Sequence, residues 1–212
     1  MEDESEVHKL WRIRKTIFQM CHDRKYCVAQ FELDQTFEQF IEEFGYEPSL
    51  MKPCREDLMI QVQHLADPQD MMFVFFCEKP KIGLKSVETY LKRMRDQNTR
   101  KAIIVVQQGI TTAAHEFIEN MNPKYSMEFF LDDELKINVT EHTLVPPHVL
   151  LTPEEKEELL SSRSLEECSL MKILSTDPVA RYYGAKKGQV FKIIYNKPHT
   201  GTSISYRIVV KA

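Results

Sequence analysis

The sequence predicts two dissimilar domains: an N-terminal α/β domain with a mixed or parallel sheet over residues 1–140, and a small α+β domain over 141–212. Three observations carry this expectation. Strand-like and helix-like segments alternate over 71–130, the pattern of βαβ units. Adjacent prolines, Pro146 and Pro147, forbid a continuing helix and mark a change of texture after residue 140. Two β-rich segments, QVFKIIYN at 189–196 and SISYRIVVK at 203–211, then form a closing hairpin, with Gly201 available for a positive-φ turn position.

From the N-terminus, Val7, Leu10, Trp11, Ile17, Phe18 and Cys21 recur at helical spacing over about five turns, with Lys9, Arg12 and Lys15 on the other side. YCVAQF at 26–31 reads as extended. Asp34 or Thr36 then opens a helix whose stripe is Phe37, Phe40, Ile41 and Phe44, ending near Gly45. EPSLMKP at 47–53 is a loop. LMIQVQHL at 58–65 partly alternates, and the continuous apolar run MMFVFFC at 71–77 suits a strand covered on both faces. Residues 83–98 form an amphipathic helix with Leu84, Val87, Leu91 and Met94 inward. AIIVVQQ at 102–108 is a second buried strand. Thr111 or Thr112 starts the next helix, carrying Phe117, Ile118 and Met121, and YSMEFF and LKINV at 125–130 and 135–139 read as two more strands. In the second domain, TEHTLVPPHVLL at 140–151 is an extended linker-like strand. Thr152-Pro153-Glu154-Glu155 supplies a hydroxyl cap, a proline in the first turn and carboxylates at the positive end of the dipole. Thr176-Asp177-Pro178 repeats that grammar for a helix through Arg181 that stops at Gly184.

Composition narrows the function. The longest apolar runs fall far short of the ~20 residues a membrane span needs, and the acidic start MEDESEV is unlike a basic signal or transit peptide. A soluble intracellular protein is expected, with no membrane partner. Five cysteines without a C-x-x-C pair argue against a disulfide framework or structural zinc. No G-x-G-x-x-G or G-x-x-x-x-G-K-[ST] sequence follows a strand, which speaks against dinucleotide or P-loop nucleotide binding. His22-Asp23 reads as a surface pair at a helix end. His142 and His148, six apart across the double proline, read as backbone-bonded imidazoles rather than metal ligands. Glu134-Leu135-Lys136 has the local spelling of a metal-dependent nuclease, but Asp132-Asp133 reads as a solvated turn. No catalytic residue, metal or cofactor is expected.

Charge is distributed unevenly. The chain carries −4 overall, yet from Lys172 onward eight basic residues face only Asp177. That end is suited to a negative partner, either nucleic acid or an acidic protein surface. Between Lys79 and Lys101 eight basic residues oppose only Glu88 and Asp96. Lys85, Lys92 and Arg95 share one broad sector there and are the candidate phosphate contacts.

Several long segments, in order, resemble one family. EHTLVPPHVLLTPEEKEELL at 141–160, DPVARYYGAKKGQVFKII at 177–194 and SYRIVV at 205–210 closely resemble the subunit, fifth by size, shared by the three eukaryotic nuclear RNA polymerases. The same C-terminal part is similar to a small archaeal polymerase subunit that consists of this domain alone. LWRIRKTIFQMCHDRKY at 10–26, ELDQTFEQF at 32–40, FVFFCEKPKIGLKSV at 73–87 and AIIVVQQGIT at 102–111 resemble the eukaryote-specific N-terminal extension. The resemblance implies a non-catalytic subunit of polymerases I, II and III in the nucleus, nucleolus included, and not a homo-oligomer. It implies an N-terminal domain folded like a restriction endonuclease without its active site, forming part of the lower jaw near downstream double-stranded DNA, which it meets weakly and without sequence preference. It also implies a C-terminal domain anchored to the largest subunit and near other small subunits. Its interface residues would be His142, Pro146, His148, Asp177, Pro178, Arg181, Tyr182, Gly184, Gly188 and Arg207. Arg181 would be left over for a carboxylate or backbone partner.

Three departures stand out. Where the family reads RGY this chain has Arg24-Lys25-Tyr26, losing a glycine that eases a turn. Where it reads QLPRI this chain has Ser169-Leu170-Met171-Lys172-Ile173, exchanging a rigid proline and an arginine fork for Met171 and Lys172. Tyr195 stands where the hairpin has a basic residue. A divergent paralogue, serving as an interaction module for one polymerase or a regulator, is the alternative reading.

Overall fold

A computed structural model describes residues 2–45, 53–197 and 201–211. The chain divides into two units, Met1–Ile137 and Asn138–Ala212. The expected loop at 47–53 lies almost wholly outside the described residues, as do the central residues of the hairpin turn. Among the described residues no helix is long and apolar enough to cross a membrane.

The first unit opens with α1 (Glu2–Asp23), whose Leu10, Ile13, Ile17, Phe18, Met20 and Cys21 are buried. The covered face is wider than one apolar stripe, because Arg14 and Thr16 are buried too. Arg14 Nη1 donates to the Leu58 carbonyl at 3.1 Å, and its guanidinium lies over the rings of Phe18 and Phe44. α1 ends in a Schellman cap: Tyr26 N–H donates to the Cys21 carbonyl and Lys25 N–H to that of His22. Lys25 occupies the left-handed position at φ 67°.

The extended segment expected at 26–31 is corrected. Only Tyr26 bridges to His64, and Gln30–Leu33 is a helical turn, α2. α3 (Phe37–Phe44) begins at Thr36, whose hydroxyl accepts from Gln39 N–H while the Gln39 side chain accepts from Thr36 N–H. A 3₁₀ turn, Arg55–Leu58, precedes β1 (Ile60–Gln63). Next come β2 (Met71–Phe76), β3 (Lys81–Ile82), α4 (Leu84–Asp96), β4 (Lys101–Val106), β5 (Gly109–Ile110), α5 (Thr112–Met121) and β6 (Ser126–Leu131).

The main sheet runs β1-β2-β4-β6, with β2, β4 and β6 parallel and β1 antiparallel, so the sheet is mixed. Phe73, Phe75 and Ile104 pack with Val87, Leu91 and Met94 of α4 and with Ala114 and Ile118 of α5. The alternate residues Val74, Phe76, Ile103 and Val105 are just as buried on the opposite face, which is why these strands read as unbroken apolar runs. Leu84, expected inward, is 37% exposed because it sits in the first turn of α4. β3 and β5 form a small parallel pair that the sequence did not announce.

The strand expected at 135–139 is also corrected. Asp132–Leu135 is a short helix, α6, and in the second unit Val139–Glu141 is a 3₁₀ turn. Asp132 does not lie in a solvated turn. It is 1% exposed, and its carboxylate takes both Arg55 guanidinium nitrogens at 2.6 and 3.1 Å. Lys9 reaches the same carboxylate at 3.2 Å.

The second unit holds β7 (His148–Leu150), α7 (Pro153–Ser162), β8 (Met171–Leu174), α8 (Pro178–Tyr182), β9 (Val190–Lys197) and β10 (Gly201–Val210). Its sheet runs β7-β9-β10-β8, antiparallel except for the parallel β10–β8 pair. One face carries Phe191, Ile193, Val209 and Ile173 against Ala180 of α8; the other carries Val190 and Ile208 against Leu159 of α7. The Thr152 capping box forms as expected, and Gly201 takes φ 77° at the hairpin.

Candidate interaction surfaces

The second unit positions its candidate residues through local capping. The Asp177 carboxylate accepts from Val179 N–H at 2.9 Å, and Pro178 fills the first turn of α8. Gly184 N–H donates to the Arg181 carbonyl and Ala185 N–H to that of Ala180, a Schellman cap with Gly184 at φ 61°. The short helix thereby turns Val179, Ala180 and Tyr182 inward. Tyr182 is buried, and its hydroxyl accepts from Asn138 Nδ2 at 3.2 Å. Tyr183 stands edge-on to both Tyr182 and Phe191.

Sheet register sets the rest. Leu150, Phe191, Arg207 and Met171 are paired across β7, β9, β10 and β8, so their side chains share one face. His148, Ile193 and Ser205 form the next row on that face. The His148 ring lies edge-on to Phe191, and its Nδ1 is 2.6 Å from the Pro146 carbonyl. A carbonyl only accepts, so Nδ1 carries the proton and Nε2 is the bare nitrogen. Burial holds the His148 pKa below its ordinary value, against the Pro146 hydrogen bond and the Asp177 charge, which raise it; Arg207 adds to the lowering.

Pro146, His148, Asp177 and Arg207 thus act on one neighbourhood, beside α8 with Pro178, Tyr182 and Gly184. Two candidates are placed differently. His142 is exposed, and its Nδ1 accepts from Leu144 N–H two residues on. Gly188, at φ 89°, donates to the Val209 carbonyl and accepts from Lys156 Nζ. Arg181, expected to be left over for a partner, is half-buried and already has an interaction within the chain. Arg207 is the candidate whose side chain has no hydrogen bond or ion pair among the described residues, and its Nε is buried with no acceptor. Sequence reading gave Met171 no structural place. β8 (Met171–Leu174) buries only Ile173, so no period-two pattern marks it in the sequence.

In the first unit, Lys85, Lys92 and Arg95 are all exposed on α4, on an arc beside the one that carries the buried Val87, Leu91 and Met94. At 100° per residue they span an arc of about 80°. Arg95 also lies over the Tyr125 ring at 5.8 Å. Lys101, in the same basic stretch, is taken up by Asp70 at 2.6 Å, and Arg93 by the Met59 thioether at 3.7 Å. The nuclease-like spelling is absorbed by structure: Asp132 by Arg55 and Lys9, Asp133 by Lys136, and Glu134 by Leu131 N–H. Cys21 is an inert core thiol, pushed by burial up to about 12.

Comparison with known proteins agrees across both units. Residues 4–94 match the family model described as RNA polymerase Rpb5, N-terminal domain, and residues 137–209 match RNA polymerase Rpb5, C-terminal domain. The chain is 53% identical over 209 residues to the DNA-directed RNA polymerases I, II, and III subunit RPABC1 of Caenorhabditis briggsae, covering 99% of each chain. It is 39% identical over 212 residues to the subunit of the same name in Dictyostelium discoideum, covering 99% of this chain and 100% of that one. It is 33% identical over 204 residues to DNA-directed RNA polymerase subunit 5-like protein 1 of Arabidopsis thaliana, covering 96% and 95%.

Proposed function

The chain belongs to the RNA polymerase Rpb5 family, and from that membership we propose that it is a non-catalytic nuclear subunit shared by RNA polymerases I, II and III. The observation that carries the reading is likeness to the shared subunit at 53% identity along 99% of both chains, through both units. Sharing with polymerase I places it in the nucleolus as well.

The two units divide the work. The assembly domain, 141–212, anchors the chain to the largest subunit and neighbouring small subunits. The excess of basic residues from Lys172 onward suits an acidic partner surface. The jaw domain, 1–140, lies near downstream duplex, with Lys85, Lys92 and Arg95 toward phosphate. Such contacts hold position without reading sequence. The isolated chain binds DNA weakly, because −4 overall opposes it and one modest patch releases few counterions.

Affinity purification of the tagged full chain, followed by quantitative mass spectrometry, tests this. The expected result is stoichiometric recovery of all three largest subunits. Recovery of one polymerase alone supports the narrower, specialised paralogue, for which the departures at Lys25 and Met171 speak. Recovery of none refutes both.

A further inference from the structure

Arg207 sits mid-strand on β10, half-buried, with no hydrogen bond or ion pair among the described residues. Its Nε has lost water and gained no acceptor. A nitrogen sealed from water is equally sealed from a partner's oxygen. The two terminal nitrogens of this obligatory cation are not sealed, and among the described residues they have no acceptor, so the fork is left to bond outward. Among the described residues, nothing on its own face supplies one. Asp177 is occupied with the α8 N-terminus. His148 directs its Nδ1 proton at Pro146. Ser205 points its hydroxyl at the Met171 thioether, 4.0 Å away.

The surroundings select the missing group. On one side Arg207 is paired with Phe191, which is fully buried; on the other it is paired with Met171, 58% exposed on edge strand β8. A planar guanidinium between an aromatic core and an apolar rim suits a carboxylate held in the plane of the fork, with the partner's aliphatic stem on Met171. The charge of the segment agrees: from Lys172 onward only Asp177 is acidic, so an incoming carboxylate meets no nearby like charge but one. We propose that Arg207, and not Arg181, is the docking fork of the assembly domain, and that its occupant is an Asp or Glu side chain of the largest polymerase subunit. This rests on the chain being a polymerase subunit.

Arginine-selective dicarbonyl labelling of the wild-type chain, read by peptide mass spectrometry, tests it without mutation. Arg207 should label in the isolated chain and be protected at least about tenfold in assembled polymerase, whereas Arg55 should resist in both states. Equal labelling of Arg207 in the two states overturns the proposal. The full-chain variant Arg207→Met supplies an independent readout. It should keep the melting temperature of the wild type, since no internal bond is removed, and weaken retention on the polymerase about 30-fold or more. Arg207→Lys should fall between, because it keeps the charge without the fork. A lowered melting temperature with wild-type retention would assign Arg207 to the fold instead. Were the wild type itself absent from every polymerase, the family-based reading would fail first, and this proposal with it.

Discussion

Arg14, Arg55 and Arg207 each bury an Nε without an acceptor, but the terminal nitrogens of Arg55 and Arg207 are used in opposite ways. In the first unit the Arg55 guanidinium lies two-pronged on Asp132, with Lys9 as a second cation on the same carboxylate. Each of these charges is paired within its own unit. In the second unit Arg207 has no ion-pair or hydrogen-bond counterpart among the described residues, and the only acidic side chain in the last forty residues caps α8. A buried charge saturated by its own chain holds a fold together. A half-buried charge left open prepares a surface for another chain.

The largest effect should come from breaking the saturated side. Asp132→Ala strands Arg55 in the core of the first unit and should cost about 3–5 kcal/mol of stability. Chemical denaturation of the full chain measures it, and a drop smaller than about 1 kcal/mol would contradict a structural role for the pair. Next is Gly184→Val, which places a β-branched residue at φ 61° and should destabilise the second unit by about 2 kcal/mol or more.

The same cap gives a finer comparison. α1 and α8 both end in Schellman turns, but the left-handed residue is Lys25 in one and Gly184 in the other. Lys25→Gly removes the Cβ strain and adds some unfolded-chain entropy, so it should stabilise the first unit by about 0.5–1 kcal/mol. A destabilised variant would show that the lysine side chain contributes more than the turn costs.

Smaller effects sharpen the contrast. The folded second unit favours neutral His148, so the unfolded chain binds more protons just below pH 6.5. Stability of that unit should therefore rise with pH up to about 6.5 and be flat above, with part of the slope removed in His148→Gln. Calorimetry on either side of that pH checks the sign. Replacing Lys85, Lys92 and Arg95 by alanine should leave stability within about 0.5 kcal/mol. It should lower the salt slope of downstream-DNA retention by about 0.9 for each phosphate no longer neutralised. An unchanged slope would place that face of α4 away from DNA.

Much of the fold was legible because periodicity and capping are local. The buried strands at 71–77 and 102–108, the helices opened by Thr36, Thr152 and Asp177, and the closing hairpin all follow from short-range grammar. What stayed hidden depends on partners distant in sequence. Asp132 next to Asp133 reads as a polar turn until Arg55, 77 residues earlier, is brought onto it. Leu135–Val139 has the residue types of a strand, yet α6 begins at Asp132 once that carboxylate is fixed. Arg181 and Arg207 look equally available in one dimension. In the fold Arg181 has an interaction within the chain, whereas strand register sets Arg207 between Phe191 and Met171.

A paired measurement on the full chain tests most directly whether the first unit saturates its arginine while the second keeps one open. Asp132→Asn and Arg207→Met are each assayed for melting temperature and for salt-resistant retention on purified polymerase. The expected result is a double dissociation: the first lowers the melting temperature sharply, whereas the second leaves it unchanged and loses retention. An Arg207→Met chain that stays bound like the wild type would contradict the claim that the second unit keeps its arginine for a partner.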